Sequence, residues 1–204
     1  MPTAPNFFRS LLSFAVLLLL TGCSLTPTKP LQEVPLPAQQ RQQQLQQLQN
    51  FTVIASLGVK APADSISGSL NWQQQGDTYT ASMNNFIGIN IFQLSSSAAG
   101  AVVTVSGETH QAATPDILLD YLSGWSLPIR DMPLWLKGMA GQNATDLRWD
   151  PLGRLTSFNL MDSQQRQWQV SYTAFFSDRL SLPKRIILQS DDTRLTLVIR
   201  RWDA

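Results

Sequence analysis

From Phe51 onward the chain alternates with a period of two. Phe51, Val53, Ala55, Leu57 and Val59 fall on one face. After a turn at Pro62-Ala63-Asp64, Ile66, Gly68, Leu70 and Trp72 alternate with Ser65, Ser67, Ser69 and Asn71. Successive side chains of a strand point to opposite faces, so this pattern describes strands with one buried and one wetted face. Gln75-Gly76-Asp77 reads as a turn, and residues 78–83 as the next strand, with Tyr79, Ala81 and Met83 on one face. Short strands at such regular spacing suit an antiparallel barrel or sandwich. A helical stretch then interrupts them. Thr114-Pro115-Asp116 offers an N-cap, a proline at the first helical position and an acid in the first turn. Ile117, Leu118, Tyr121 and Leu122 supply an apolar stripe, and Gly124 a stop. Leu134-Trp135-Leu136 reads as a second short helix closing at Gly138. Strands return at 146–149, 155–160, 167–174, 185–189 and 195–202. The expectation is a mainly β (α+β) fold: one sheet that curls, with the inserted helices covering one mouth.

The N-terminus has a different character. Residues 11–20 (LLSFAVLLLL) form an apolar run behind Arg9. A bilayer-spanning helix needs about 20 apolar residues, so this run fits a secretory signal instead. It ends in Leu20-Thr21-Gly22-Cys23, which resembles a bacterial lipobox. That resemblance implies a signal peptide over 1–22, lipidation of Cys23 and a neutral mature chain. Stable anchoring takes more than one acyl chain, and bacterial lipoproteins carry three on the cysteine. Ser24, where enterobacterial-type lipoproteins retained at the inner membrane have Asp, implies export to the outer membrane. Residues 25–37 hold four prolines and read as a solvated spacer. Residues 39–49 contain eight Gln, with Leu45 and Leu48 three apart. They suit a short helix, though such composition also suits a disordered tract. The expected organisation is signal 1–22, lipidated tether 23–38 and a single domain 39–204.

Composition removes most other functions. The chain has one cysteine and one histidine, too few for a Cys/His zinc site. With 15 basic and 14 acidic residues and no charge run, it lacks the basic stripe a nucleic-acid binder needs. No P-loop, dinucleotide fingerprint, H-E-x-x-H or G-x-S-x-G occurs, so no cofactor is expected. Ser181-Leu182-Pro183-Lys184 matches S-x-x-K by spacing, but Pro183 and the strand after it oppose the helix that would bring Ser181 and Lys184 together. His110 reads as part of a polar turn without an acid partner.

The segment Asn85-Phe86-Ile87-Gly88 is the most informative. Its ends are turn residues, yet two large apolar side chains lie between them. They either fold back into the core or form a tip that enters a bilayer or a bundle of acyl chains. Beyond the turn, Ile89 and Ile91 fall on one face and Phe92 and Leu94 on the other, so both faces cannot be wet. Six tryptophans (72, 125, 135, 149, 168, 202) are many for the length and suit a core or a lipid-lined cavity. Alternation places Phe51, Val53, Leu57, Ile66, Leu70, Trp72, Tyr79, Met83, Phe92 and Leu94 toward one interior, with Ile117, Tyr121 and Trp135 contributed by the helices; a one-residue slip would invert any strand.

In order and spacing, these landmarks resemble the LolB family of outer-membrane lipoproteins over essentially the whole chain. They are Cys23-Ser24, the Gln-rich helix, Trp72-Gln73-Gln74-Gln75-Gly76, Asn85-Phe86-Ile87-Gly88, Gly124-Trp125-Ser126-Leu127-Pro128, and Leu134-Trp135-Leu136-Lys137-Gly138. The resemblance implies an unclosed antiparallel β-barrel with a short helical lid and an apolar interior that holds acyl chains. It implies a non-catalytic, ATP-independent function. Triacylated lipoprotein cargo is taken from the periplasmic carrier LolA and inserted into outer-membrane lipids, and a monomer is expected. It also implies a membrane-insertion loop at Phe86, Ile87 and Gly88, with Ile87 where the family carries an exposed leucine. Phe86 stands where the family commonly has proline, which implies a less rigid loop with larger apolar reach. The alternative is a scaffold lipoprotein that supports outer-membrane assembly through surface contacts.

Overall fold

The computed structural model describes residues 34–62, 65–123, 129–162 and 164–204. Helix α1 (Ala38–Gln47) leads into six strands: β1 (Asn50–Lys60), β2 (Ser65–Gln75), β3 (Thr78–Asn84), β4 (Asn90–Ser97), β5 (Gly100–Val105) and β6 (Glu108–Ala112). Helix α2 (Pro115–Ser123), a 3₁₀ turn (Ile129–Asp131) and helix α3 (Met132–Leu136) follow. Five strands complete the fold: β7 (Thr145–Trp149), β8 (Leu155–Met161), β9 (Gln167–Phe175), β10 (Pro183–Gln189) and β11 (Arg194–Asp203).

The strands make one sheet in the order β6-β5-β4-β3-β2-β1-β11-β10-β9-β8-β7. Every recorded neighbour pair is antiparallel. The first and last strands pair at the centre, for example Leu57 with Leu197. β6 and β7 are therefore the two edges, and the sheet does not close. The inserted helices connect those edges, as expected for a curled sheet with a helical cover.

The β5–β6 hairpin was not expected from the pattern. β6 is an edge strand of mostly exposed polar residues, so it carries no alternation. Its signal was the turn: Val105 pairs with Glu108, and Ser106 and Gly107 between them both have positive φ (52° and 84°), as a two-residue hairpin turn requires.

The two halves of the sheet are filled differently. Over β8–β10, Leu155, Phe158, Leu160, Val170, Tyr172, Ile186 and Leu188 pack solidly with Trp135 and Leu136 of α3. The Tyr172 hydroxyl donates to the Trp135 carbonyl at 3.0 Å, and its burial raises the phenol's pKa. Over β1–β5 the cover is α2, and that half is hollow.

Helix α1 docks outside the sheet ends. The buried guanidinium of Arg41 donates to the Gly153 carbonyl, and a Cβ at Gly153 would run into the Ala38 Cβ. Leu45 joins Met139 and Leu182 in a small cluster. The Leu36 side chain is buried and its N–H donates to the Arg179 carbonyl at 2.9 Å. Within the described part of the expected tether, the docked segment thus begins before residue 38, because Leu36 finds an apolar seat. The signal peptide, Cys23, residues 24–33, Ala63-Asp64 and Gly124-Trp125-Ser126-Leu127-Pro128 lie outside the described residues.

Candidate lipid-binding site

Inward-facing side chains of β1–β5 and β11, roofed by α2, the 3₁₀ turn and Met132 of α3, enclose a cavity of about 280 Å³, near the lower end of the roughly 300–1,000 Å³ usual for ligand pockets. All its lining residues among the described ones are apolar. The one polar side-chain group among them, the indole N–H of Trp72, donates to Gln74 Oε1 at 3.1 Å, and Gln74 Nε2 donates to the Gly76 carbonyl at 2.7 Å. An interior whose described side chains present no free hydrogen-bonding group favours hydrocarbon over water, by about 0.8 kcal/mol per buried CH₂.

The wall is legible strand by strand. Leu57, Ile66, Leu70, Trp72, Met83, Phe92 and Leu94 line the cavity as alternation indicates. Ile91 lines it too. The register runs Met83 with Phe92 and then Asn84 with Asn90, so Ile91 is the extra residue of a bulge, and a bulge re-aims the side chain it carries. This resolves the two-faced apolar run after the turn.

Six expected lining residues lie elsewhere. Phe51, Val53 and Tyr79 are packed in the core beside the cavity, and burial pushes the Tyr79 phenol up to about 12. Trp135 belongs to the solid half. Ile117 and Tyr121 face solvent, with relative exposures of 53% and 76%. The cavity face of α2 is Pro115, Leu118, Leu119 and Leu122, an i, i+3, i+4, i+7 stripe. Ile117 and Tyr121, four apart, form a second stripe turned away. β5 and β11 add Val103, Val105, Leu195 and Leu197, which sequence reasoning had not placed.

Polar clips hold the cover. Arg130 donates its backbone N–H to Asp116 Oδ1 at 2.9 Å and its Nε to Oδ2 at 2.5 Å, joining α2 to the 3₁₀ turn. Gln164 Nε2 donates to Asp120 Oδ1 at 2.9 Å. At the far end of α3, buried Lys137 donates to the Leu48 carbonyl at 3.1 Å, and burial lowers its pKa.

The loop between β3 and β4 leaves the hairpin whose residues Met83, Ile91 and Phe92 line the cavity. Phe86 is 95% exposed and Ile87 64%, with Ile89 exposed beside them. The side chains therefore do not fold back into the core. Gly88 adopts φ 86°, a left-handed conformation that suits glycine. The Asn85 side-chain oxygen accepts the N–H groups of Ile87 (3.1 Å) and Ile89 (2.9 Å). This tie offsets the rigidity expected to be lost without proline.

A family model described as "Outer membrane lipoprotein LolB" matches residues 49–202. The chain belongs to the LolB family. The "Outer-membrane lipoprotein LolB" of Pseudomonas savastanoi pv. phaseolicola is 32% identical over 202 residues, covering 96% of each chain. That of Aeromonas salmonicida is 29% identical over 199 residues, covering 97% of each. Among solved structures, a LolA superfamily protein from Nitrosomonas europaea superposes with a TM-score of 0.53 at 11% identity, over 82% of this chain and 93% of its own. A DUF1329 family protein from Desulfovibrio piger gives 0.52 at 7% identity, over 81% and 92%. These two likenesses concern the fold. As a LolB-family member the chain is an outer-membrane lipoprotein with a role in lipoprotein localisation, and not an enzyme.

Ser181 and Lys184 make no dyad in this LolB fold. Ser181 is buried, its Oγ lies 3.5 Å from the Asp178 carbonyl, Pro183 opens β10, and Lys184 is exposed with Nζ over the Phe176 ring. His110 is in strand β6, not a turn, and its Nε2 lies 3.8 Å from Glu108 Oε2, so it has an acid neighbour two residues away on the same strand face. Register sets the loop apart from α1. β1 leaves α1 at Asn50, paired with Gln75, whereas Asn84 at the loop end pairs with Ser69. The loop and α1 thus lie toward opposite ends of the strands.

Proposed function

We propose that this LolB-family chain takes triacylated lipoproteins from a periplasmic carrier, LolA, and passes their acyl chains to the outer membrane without ATP. The observation that carries the reading is the joining of an all-apolar cavity to an exposed apolar tip on one hairpin. In this reading the cavity takes hydrocarbon from water, the tip of Phe86 and Ile87 enters the bilayer, and transfer runs downhill because the membrane holds the chains better than the cavity. Three acyl chains exceed the present cavity, so loading requires α2 to move against its Asp116–Arg130 and Asp120–Gln164 clips.

Lipidated Cys23 keeps the domain at its target. Residues 24–36 extend to about 45 Å at most, while Ser69 to Gln75 covers about 20 Å of strand. The tether is therefore long enough for the loop end to turn toward the membrane that holds the anchor.

The test is a transfer assay. LolA loaded with cargo is mixed with residues 23–204 carrying Cys23→Ser, without nucleotide, and cargo is followed by gel filtration. Cargo moving to the chain supports the reading. A folded chain that takes neither cargo nor a fluorescent fatty acid overturns it. That outcome favours the scaffold alternative, whose support is the wholly exposed edge strand β7 with Leu147 and Trp149.

A further inference from the structure

Three hairpin loops of this sheet share one design. In loop 150–154 the Asp150 N–H donates to the Arg154 carbonyl (3.0 Å) and the Gly153 N–H to the Asp150 carbonyl (2.8 Å). Asp150 Oδ1 accepts the N–H groups of Leu152 (3.0 Å) and Arg154 (2.9 Å). Loop 162–166 repeats this. The Asp162 N–H donates to Arg166 (3.0 Å), the Gln165 N–H donates to Asp162 (3.1 Å), and Asp162 Oδ1 accepts from Gln164 and Arg166 at 2.9 Å each. Loop 85–89 is the third copy. The Asn85 N–H donates to the Ile89 carbonyl (2.9 Å), the Gly88 N–H donates to the Asn85 carbonyl (3.1 Å), and Asn85 Oδ1 accepts from Ile87 and Ile89. The fourth residue has positive φ in all three: Gly88 86°, Gly153 67°, Gln165 62°.

The copies differ in charge. In the first two the leading residue is an aspartate whose Oδ2 accepts the Nε of the fifth residue, an arginine, at 2.7 and 2.9 Å. In loop 85–89 the leading residue is a neutral amide and the fifth is Ile89. The same backbone is therefore built without an ion, at the loop that also bears exposed Phe86 and Ile87. In water the Asp–Arg version adds an ion pair and N–H contacts that offset the partial desolvation of its carboxylate. In hydrocarbon every unpaired N–H and every charge is penalised. Four of the five backbone N–H groups of loop 85–89 already donate within the loop.

We infer that Asn85 is a positioning residue for membrane entry: its uncharged amide closes the loop's own N–H groups, so that the tip can enter hydrocarbon with no ion and few unpaired donors. This rests on the reading that the loop enters the bilayer. It adds that apolar side chains at 86 and 87 do not suffice, and that the turn beneath them must be the neutral form.

The test uses residues 23–204 with Cys23→Ser, which removes the only cysteine and retains the whole compact unit Gln32–Ala204. Phe86→Cys then carries a polarity-sensitive fluorophore, read against phosphatidylcholine vesicles, whose surface has no net charge. The parent label shifts to the blue on vesicle addition. Asn85→Asp with Ile89→Arg rebuilds the Asp–Arg turn, so the thermal midpoint is kept or raised while vesicle affinity falls about tenfold or more. Asn85→Ala removes the acceptor without adding charge, and affinity falls about tenfold. Should the paired variant lose its thermal midpoint, Asn85→Ala alone decides. A folded variant of either kind that binds vesicles like the parent overturns the inference and leaves the loop reading standing. A parent label that does not shift overturns the loop reading itself, and the inference with it.

Discussion

Phe86→Ser together with Ile87→Ser removes the exposed apolar tip and leaves the interior alone. Fully burying a large apolar side chain is worth about 1.5–3 kcal/mol. Phe86 has 95% of its surface in water and offers nearly all of that value. Ile87, 64% exposed, offers about 1–2 kcal/mol by the same scale. Together the pair contributes about 2.5–5 kcal/mol to seating the tip in a bilayer, a factor of roughly 10²–10³ or more in partition. Stability in water changes by only about 0.5 kcal/mol or less, because neither side chain packs in the core. The assay mixes cargo-loaded chain with vesicles and separates them by flotation. The expected result is that delivery to vesicles slows by that factor and loaded chain accumulates. Delivery at the parental rate, with an unchanged thermal midpoint, would refute the assignment of the tip as the membrane-entering element.

Four further outcomes follow from the geometry. Val105→Trp, on a half-buried residue of the cavity wall, fills part of the void and should cut binding of a fluorescent fatty acid severalfold while circular dichroism is unchanged. Asp162 is pushed up by burial but held below its ordinary 3.8 by the Arg166 and Gln164 N–H groups, the Trp168 indole and the Arg166 guanidinium. Its contribution is therefore complete above about pH 5 and lost as pH falls through the ordinary value and then the lower folded one; Asp162→Asn should flatten that acid limb in urea titrations. Gly153→Val meets Ala38 and a φ of 67°, and should cost about 1–3 kcal/mol in thermal or urea unfolding. Deleting residues 25–32 should lower delivery by the lipidated chain while the lipid-free chain still takes cargo from the carrier.

Strand positions were legible because burial on one face writes itself as alternation. β1, β2 and β3 follow from Phe51, Val53, Ile66, Leu70 and Ala81 almost residue by residue. β6 escaped because an edge strand buries little, and its Ser106-Gly107 turn was the only trace. On the strands, alternation gave the inward parity of Leu57, Ile66, Leu70, Trp72, Met83, Phe92 and Leu94, but not how far along each strand the hollow extends, so Phe51, Val53 and Tyr79 fall in the packed core; parity served less well on α2. There Ile117 and the ring of Tyr121 make an apolar stripe beside that of Leu118 and Leu122, and composition cannot tell which stripe a helix turns inward. The repeated five-residue turn leaves little trace in sequence, since Asp150-Pro151-Leu152-Gly153-Arg154 and Asn85-Phe86-Ile87-Gly88-Ile89 share only an Asp or Asn at the first place and a Gly at the fourth; its shared hydrogen bonds emerge only in three dimensions.

By itself, the sequence determined most of the strand-forming segments, the inserted helices and two large apolar side chains set between two turn residues. Those are local properties, carried by periodicity and turn chemistry. Only the tertiary structure decided that β1 pairs with β11, that α3 fills one half of the sheet with Trp135 while α2 leaves the other hollow, and that the tip rises from the wall of that hollow. These depend on long-range packing volumes. A void forms where the facing side chains do not meet, and no single stretch of chain records that distance.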